Sequence, residues 1–370
     1  MSKSTSGVGG LPHGGRFFLP GPTEVHPDVL QAQTRPMMSH RGAGINELMK
    51  ELQAGLEVVF FTKRPVFLAT CSATGLMEAA VRNAGRSRIL SLVNGAFSKR
   101  FAEIGRACGF EVDTIDLEWG QAHDPDQLAE KLSKGSYDAV TMVHSETSTG
   151  VLNDIRALAS VAREHDDVLV LVDSVSGFGG AELRPDEWGI DFLLTGSQKS
   201  FALPPGLAFG VASERMLERS ATAQNKGVYF DLQQYQSSQE KWQSPSTPAL
   251  SVMFALQVQL QRMQGEGMTA RWARHAAMAE RTYEWVDEMR AAGVGLEVLA
   301  PEGYRSPCVT AIKAPGELAT EAPKKMKEKG YVIGGGYGKL KPTTFRIGHM
   351  GEHTVDGLNA MLDVLSEVVK

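Results

Sequence analysis

The sequence predicts an α/β fold, a mostly parallel sheet covered by helices on both faces and followed by a smaller α+β region. Three observations carry that prediction. Between about residues 66 and 211, short apolar runs of strand length alternate with stretches of helical periodicity. The runs are rich in Val, Ile and Leu without polar alternation, as strands buried on both faces require. Beyond about residue 256 the rhythm changes to long helices and then short strands. At 370 residues, with 42% hydrophobic and 22% charged, the chain can bury one large core and a smaller one.

The elements follow in order. Residues 1–15 are rich in Ser and Gly and predict a mobile tail, and the proline-rich stretch Phe17 to Pro27 predicts an ordered arm. Leu48, Leu52, Leu56 and Val59 share one helical face, so a helix spans about 46–60. Strands are expected at 66–69, 89–93, 111–115, 139–143, 168–172, 192–194 and 207–211. Helices are expected at 76–83, 97–108, 125–132 and 155–165. From Pro248 to about Arg290 the chain reads as helix, broken near Gly265-Glu-Gly267. Short strands at 308–312, 331–333 and 344–347 precede a closing helix over 355–369. The domain reading is a large domain over 16–255, with its N-terminal arm at 16–30, and a small domain over 256–370.

Composition excludes several functions. A formal charge of -5 without a basic run removes the electrostatic footprint of a nucleic-acid binder. No apolar run approaches the length of a membrane span. Cys71, Cys108 and Cys308 are far apart, with neither disulfide-framework nor metal-site spacing, so a reduced cytoplasmic setting is the expectation.

In parallel sheets, ligands sit at the carboxyl ends of the strands, and there the candidates collect. Cys71-Ser-Ala-Thr-Gly75 joins a strand to a helix start, where free N–H groups and the hydroxyls of Ser72 and Thr74 suit a phosphate; ordinary helix capping is the plainer reading. Asp173 ends the run Val-Leu-Val-Leu-Val, a desolvated place for a carboxylate unless it meets a cation or strong donor. Lys199 follows Phe192-Leu-Leu-Thr-Gly-Ser-Gln198. An amine set against apolar surface loses hydration, its pKa falls, and it becomes a nucleophile toward aldehydes, whereas a lysine reaching solvent would be idle. A lysine, a carboxylate and a phosphate cradle are the parts that pyridoxal 5'-phosphate requires.

The run Leu-Val-Asp173-Ser-Val, followed by Gly-Ser-Gln-Lys199 and preceded by Glu146-Thr-Ser-Thr-Gly150, resembles the class V aminotransferases, most of all the alanine–glyoxylate and serine–glyoxylate group. The likeness extends from Leu-Pro-Gly-Pro22 to Arg346-Ile-Gly348. It implies a fold-type I pyridoxal-phosphate transferase with a seven-stranded sheet, working as a homodimer with shared active sites. By that resemblance Lys199 is the Schiff-base lysine, Asp173 the partner of the pyridine nitrogen, and Ser148 the hydroxyl near the phenolic oxygen. Ser72, Ala73, Thr74 and Gln198 hold the phosphate, Phe97 stacks on the ring, and Ser176 also contacts the cofactor. Ser246 and Thr247 match a segment donated to the neighbouring subunit's phosphate, although the tyrosine-plus-threonine form of relatives is missing. Arg346 binds the substrate α-carboxylate, and Gly21, His40 and Arg41 lie near the substrate. The glycine run Gly334-Gly-Gly-Tyr-Gly338 reads as a flexible turn beside the entrance rather than a nucleotide loop.

The implied reaction moves an amino group from a small L-amino acid, alanine or serine, to a 2-oxo acid such as glyoxylate or pyruvate, with ping-pong kinetics. Phosphoserine or ureidoglycine transamination, or a cysteine desulfurase or β-lyase activity, are the rivals within the family. A non-catalytic binding module, with Lys199 merely structural, is the rival outside it.

Overall fold

The computed structural model describes residues 10–370. Of the tail expected over 1–15, residues 1–9 lie outside the described residues. Residues Pro12–Gly14 form a 3-10 turn seated on the closing helix Val355–Val369, where a Cβ on Gly14 would meet the Gly357 Cα at 3.2 Å.

Seven strands form the main sheet in the order Val66–Ala69, Ala208–Ala212, Phe192–Gly196, Leu169–Asp173, Ala139–Val143, Arg88–Val93, Glu111–Asp116. All run parallel except Ala208–Ala212, which is antiparallel to both neighbours. Helices cover both faces, which is why the five strands nearest the first edge are buried throughout. On one face Leu48, Leu52 and Leu56 of helix Ala43–Phe60 meet Met253, Leu256 and Leu260 of helix Leu250–Glu266. On the other, Leu76 and Ala80 of helix Ala73–Ala84 pack with Met216 and Leu232.

A five-stranded sheet, ordered Phe17–Phe18, Val332–Gly335, Thr344–Gly348, Val309–Lys313, Glu297–Val298, builds the second core with Trp285, Leu358 and Leu362. The arm expected to belong with the large domain serves both. Phe17 and Phe18 pair in parallel with Val332 and Ile333, while Val29, on the short helix Pro27–Ala32, sits in the large core. The break expected near residue 265 falls at Gly267, whose φ of 81° both ends Leu250–Glu266 and begins Met268–Ala291.

Arg271, fully buried on that last helix, joins the two cores. Its Nη1 donates to Glu266 at 2.7 Å and Glu352 at 3.0 Å, and its Nη2 to the Ser200 carbonyl at 2.8 Å. The second core is thereby fastened to the turn that carries Lys199.

Candidate active site

Six parallel strands point their carboxyl ends the same way, and the turns that follow five of them enclose one cavity. It is lined by Ser72, Ala73, Thr74, Phe97, Thr147, Asp173, Ser176, Gln198 and Lys199, with Met77, Arg100, Ser145 and Val175 between them. Sequence reasoning singled out eight of those thirteen residues.

Lys199 is buried, and its amine donates to the Pro20 carbonyl of the arm. Burial, with the Arg346 charge adding to it, lowers its pKa to about 8. Gly21 is shaped to this side chain. At φ 99°, a conformation that favours glycine, its Cα lies so close that a Cβ would stand 2.3 Å from Lys199 Cδ. Asp173 is 3% exposed, accepts the Val175 N–H at 2.7 Å, and is pushed up to about 7 by burial. Its backbone pairs on both sides with neighbouring strands, so the carboxylate is held on the most rigid part of the sheet. Arg346, on strand Thr344–Gly348, donates from Nε to the Gly335 carbonyl at 2.9 Å and from Nη1 to that of Thr147 at 3.2 Å. Burial lowers it to about 10.

Ser148 is not among the residues that line the cavity. It is fully buried, but its hydroxyl donates to Glu146 at 2.7 Å and accepts the Ala96 N–H at 3.0 Å. Thr147 lines the cavity in its place, hydrogen-bonded through its hydroxyl to Ser176. Thr147 and Ser148 lie in the tight loop that joins the two-residue strands Ser145–Glu146 and Val151–Leu152. The chain turns directly after Glu146, with the Thr149 and Gly150 N–H groups both donating to the Glu146 carbonyl, and this turn leaves Ser145 and Thr147 on the cavity while the Ser148 hydroxyl bonds to Glu146.

Glu146 was not foreseen. Its buried carboxylate accepts the N–H groups of Phe97 at 3.1 Å, Ser98 at 2.9 Å and Ser148 at 3.1 Å, besides the hydroxyls of Ser98 and Ser148. It therefore caps helix Ala96–Ala107 from another strand and fixes the backbone that presents Phe97. Gly95 permits the approach, since a Cβ there would lie 2.3 Å from Glu146 Cγ. Arg100, three residues beyond Phe97 and so on the same helix face, was also missed. That spacing is the signal that could have found it.

His40, Arg41, Ser246 and Thr247 do not reach the cavity. They gather at the surface, where Arg41 Nη1 donates to the Ser244 carbonyl at 3.0 Å. Ala249, just beyond, donates to Thr70 Oγ1 at 3.1 Å, which sets this segment beside the approach to Ser72.

The residues present fit pyridoxal phosphate. No side chain caps the first turn of helix Ala73–Ala84, and Ala73 and Thr74, which open it, line the cavity, so their N–H groups suit an anion. The Asp173 carboxylate, buried with one amide partner, has capacity left for a ring nitrogen. An amine of lowered pKa stands in the same cavity, 5.8 Å from the centre of the Phe97 ring.

Comparison with known proteins agrees. Residues 22–313 match the family model described as aminotransferase class-V. The chain is 32% identical over 348 residues to an L-aspartate–glyoxylate aminotransferase of Paracoccus denitrificans, covering 91% of this chain and 87% of that one. It is 32% identical over 348 residues to a serine–glyoxylate aminotransferase of Arabidopsis thaliana, covering 90% and 85%. Among solved structures, an alanine–glyoxylate aminotransferase from Nostoc sp. superposes with a TM-score of 0.89 at 26% identity, covering 100% of this chain and 98% of that one.

Proposed function

The chain belongs to the class-V aminotransferases, pyridoxal-phosphate enzymes of fold type I, and on that premise we propose that it moves the amino group of alanine or serine to glyoxylate or pyruvate. The observation that carries this reading is Lys199, an amine of lowered pKa in one cavity with Asp173 and the free helix N-terminus at Ser72 to Thr74. Three similar proteins whose names specify glyoxylate support that acceptor.

Pyridoxal phosphate, when bound, supplies a carbonyl carbon for the incoming amine and an electron sink for the carbanion. Ser72, Ala73, Thr74 and Gln198 would hold its phosphate, and Asp173 would keep its ring nitrogen protonated. Phe97, braced by Glu146, would cover one face of the ring, and Thr147 and Ser176 would offer hydroxyls beside it. Arg346 grips the substrate α-carboxylate with the planar fork suited to it. Lys199 Nζ, released from the Pro20 carbonyl, takes the proton from the substrate α-carbon and returns it as general acid. Its lowered pKa increases the neutral fraction able to act as base near neutral pH. The two half-reactions alternate in one cavity, hence ping-pong kinetics.

We further read the enzyme as a cytoplasmic homodimer, with Ser246, Thr247, His40 and Arg41 meeting the second subunit's site. Their surface position supports this. A desulfurase or β-lyase reading is disfavoured by Cys308, which is fully buried against Ser200 and Gly177 with its thiol pushed up to about 12. Phosphoserine or ureidoglycine as donor is tested in the same assay. The purified holoenzyme, offered a panel of amino donors against glyoxylate and pyruvate, is expected to give glycine or alanine from alanine or serine. Release of sulfide from cysteine without transamination, or no transfer from any donor, would overturn the reading.

A further inference from the structure

Arg100 is the cavity residue for which neither the cofactor nor the α-carboxylate accounts. Half-buried on helix Ala96–Ala107, it lines the cavity, with its guanidinium 4.8 Å from the centre of the Phe97 ring. Among the described residues its one hydrogen bond runs from Nη2 to the Tyr337 hydroxyl at 3.1 Å, and no carboxylate pairs with it. Arg346 likewise meets only carbonyl oxygens, and its guanidinium lies 5.4 Å from the centre of the same Tyr337 ring. Tyr337 thus stands between two cations that lack counter-ions, and its ring also packs on Phe97 at 5.4 Å. The carboxylates nearby are already engaged. Glu146 accepts three amides and two hydroxyls, and Asp173 sits at the foot of the cavity on its own strand end.

Holding a guanidinium partly out of water without an anion is costly, and a bound carboxylate offsets that cost with charge-assisted hydrogen bonds. Two such guanidiniums flanking one tyrosine match a ligand with two carboxylates. We propose that Arg100 is a second anion subsite, which reads the side-chain carboxylate of a dicarboxylic amino acid or 2-oxo acid while Arg346 holds the α-carboxylate. The Tyr337 hydroxyl orients the Arg100 fork. A dicarboxylic amino acid then competes with alanine or serine as donor, and the small 2-oxo acid remains the acceptor. This inference rests on the transaminase reading and names a substrate class for the same site.

Two measurements on the holoenzyme test it. The first is binding of unreactive succinate against propionate, by calorimetry. Wild type is expected to favour succinate by about 10- to 100-fold, the worth of one charge-assisted hydrogen bond, and Arg100→Gln to erase that preference. The second is the ratio of kcat/KM for aspartate or glutamate to that for alanine. It should fall by a similar factor in Arg100→Gln, carried mainly by KM, and by a smaller factor in Tyr337→Phe. If Arg100→Gln does not fold, the wild-type preference and Tyr337→Phe still decide. Equal binding of succinate and propionate by wild type, or a ratio unmoved in both variants, overturns the proposal. Transfer from alanine or serine with no dicarboxylate preference sinks this inference alone, whereas failure with every donor sinks the transaminase reading and leaves the succinate measurement to decide Arg100.

Discussion

Replacing Lys199 with methionine should abolish turnover and yet stabilise the cofactor-free protein. Burial lowers the Lys199 pKa from 10.5 to about 8, and at about 1.4 kcal/mol per pH unit the charged amine costs the fold about 3 kcal/mol at pH 7. Methionine, similar in length and without charge, removes that cost. The lost bond to the Pro20 carbonyl returns about 1 kcal/mol of it, leaving a gain of about 2 kcal/mol. With an unfolding entropy of about 2.1 cal/mol/K per residue over 370 residues, the melting temperature rises by about 2–3 °C. The sign with pH is also set. The unfolded chain binds more protons than the native one between pH 8 and 10.5, so wild-type stability climbs across that window. The advantage of Lys199→Met should shrink over the same range and give way above it to a deficit of about 1 kcal/mol, the lost bond to Pro20. Scanning calorimetry of both apoproteins from pH 7 to 10.5 checks this. A variant no more stable than wild type at pH 7, or an advantage independent of pH, would refute the assignment of Lys199 as a desolvated amine.

Two further expectations concern its neighbours. Because burial raises the Asp173 carboxyl to about 7, cofactor affinity should rise with pH up to about 7, by as much as about tenfold per unit below it. Asp173→Asn should flatten that dependence between pH 5.5 and 8.5 and slow the half-reaction; an unchanged slope in equilibrium titrations would contradict the ring-nitrogen role. Arg271→Met leaves Glu352 and Glu266 with fewer cationic partners in the interior, and breaking a buried pair costs about 3–5 kcal/mol. A fall of about 4–6 °C in melting temperature is expected, and a shift under 1 °C would show that Arg262 and Arg274 suffice.

Much of this was legible in the sequence because the strand ends are local. Each inner strand is a run of apolar residues that breaks at a polar turn, and Asp173 and Lys199 announce themselves at those breaks. What escaped was set by distant contacts. Phe17–Phe18 is a strand only because Val332–Gly335 lies beside it, and Leu318–Glu328 is helical despite Pro323 in its interior. The Thr147 and Ser148 exchange has the same origin, since three adjacent hydroxyl residues look alike until Glu146 and the Ala96 N–H engage Ser148. Glu146 was hidden because the helix it caps starts fifty positions upstream, at Ala96. Arg346 was legible by resemblance and Arg100 by none.

The parallel pairing of Phe17 with Val332 also has a bearing on biosynthesis. The arm that supplies the Pro20 carbonyl and Gly21 to Lys199 is made before its strand partner, which follows 315 residues later (332 minus 17). The main sheet has all its strands by Ala212 and can gather during translation, while closing so long a loop waits until Val332 has been made. A nascent chain stalled before residue 332 would hold Lys199 on its turn but without its lid of Pro20 and Gly21. An early segment of the chain is thus late to join the catalytic pocket, and a ribosome-bound chain should acquire tight cofactor binding only once residue 332 has emerged.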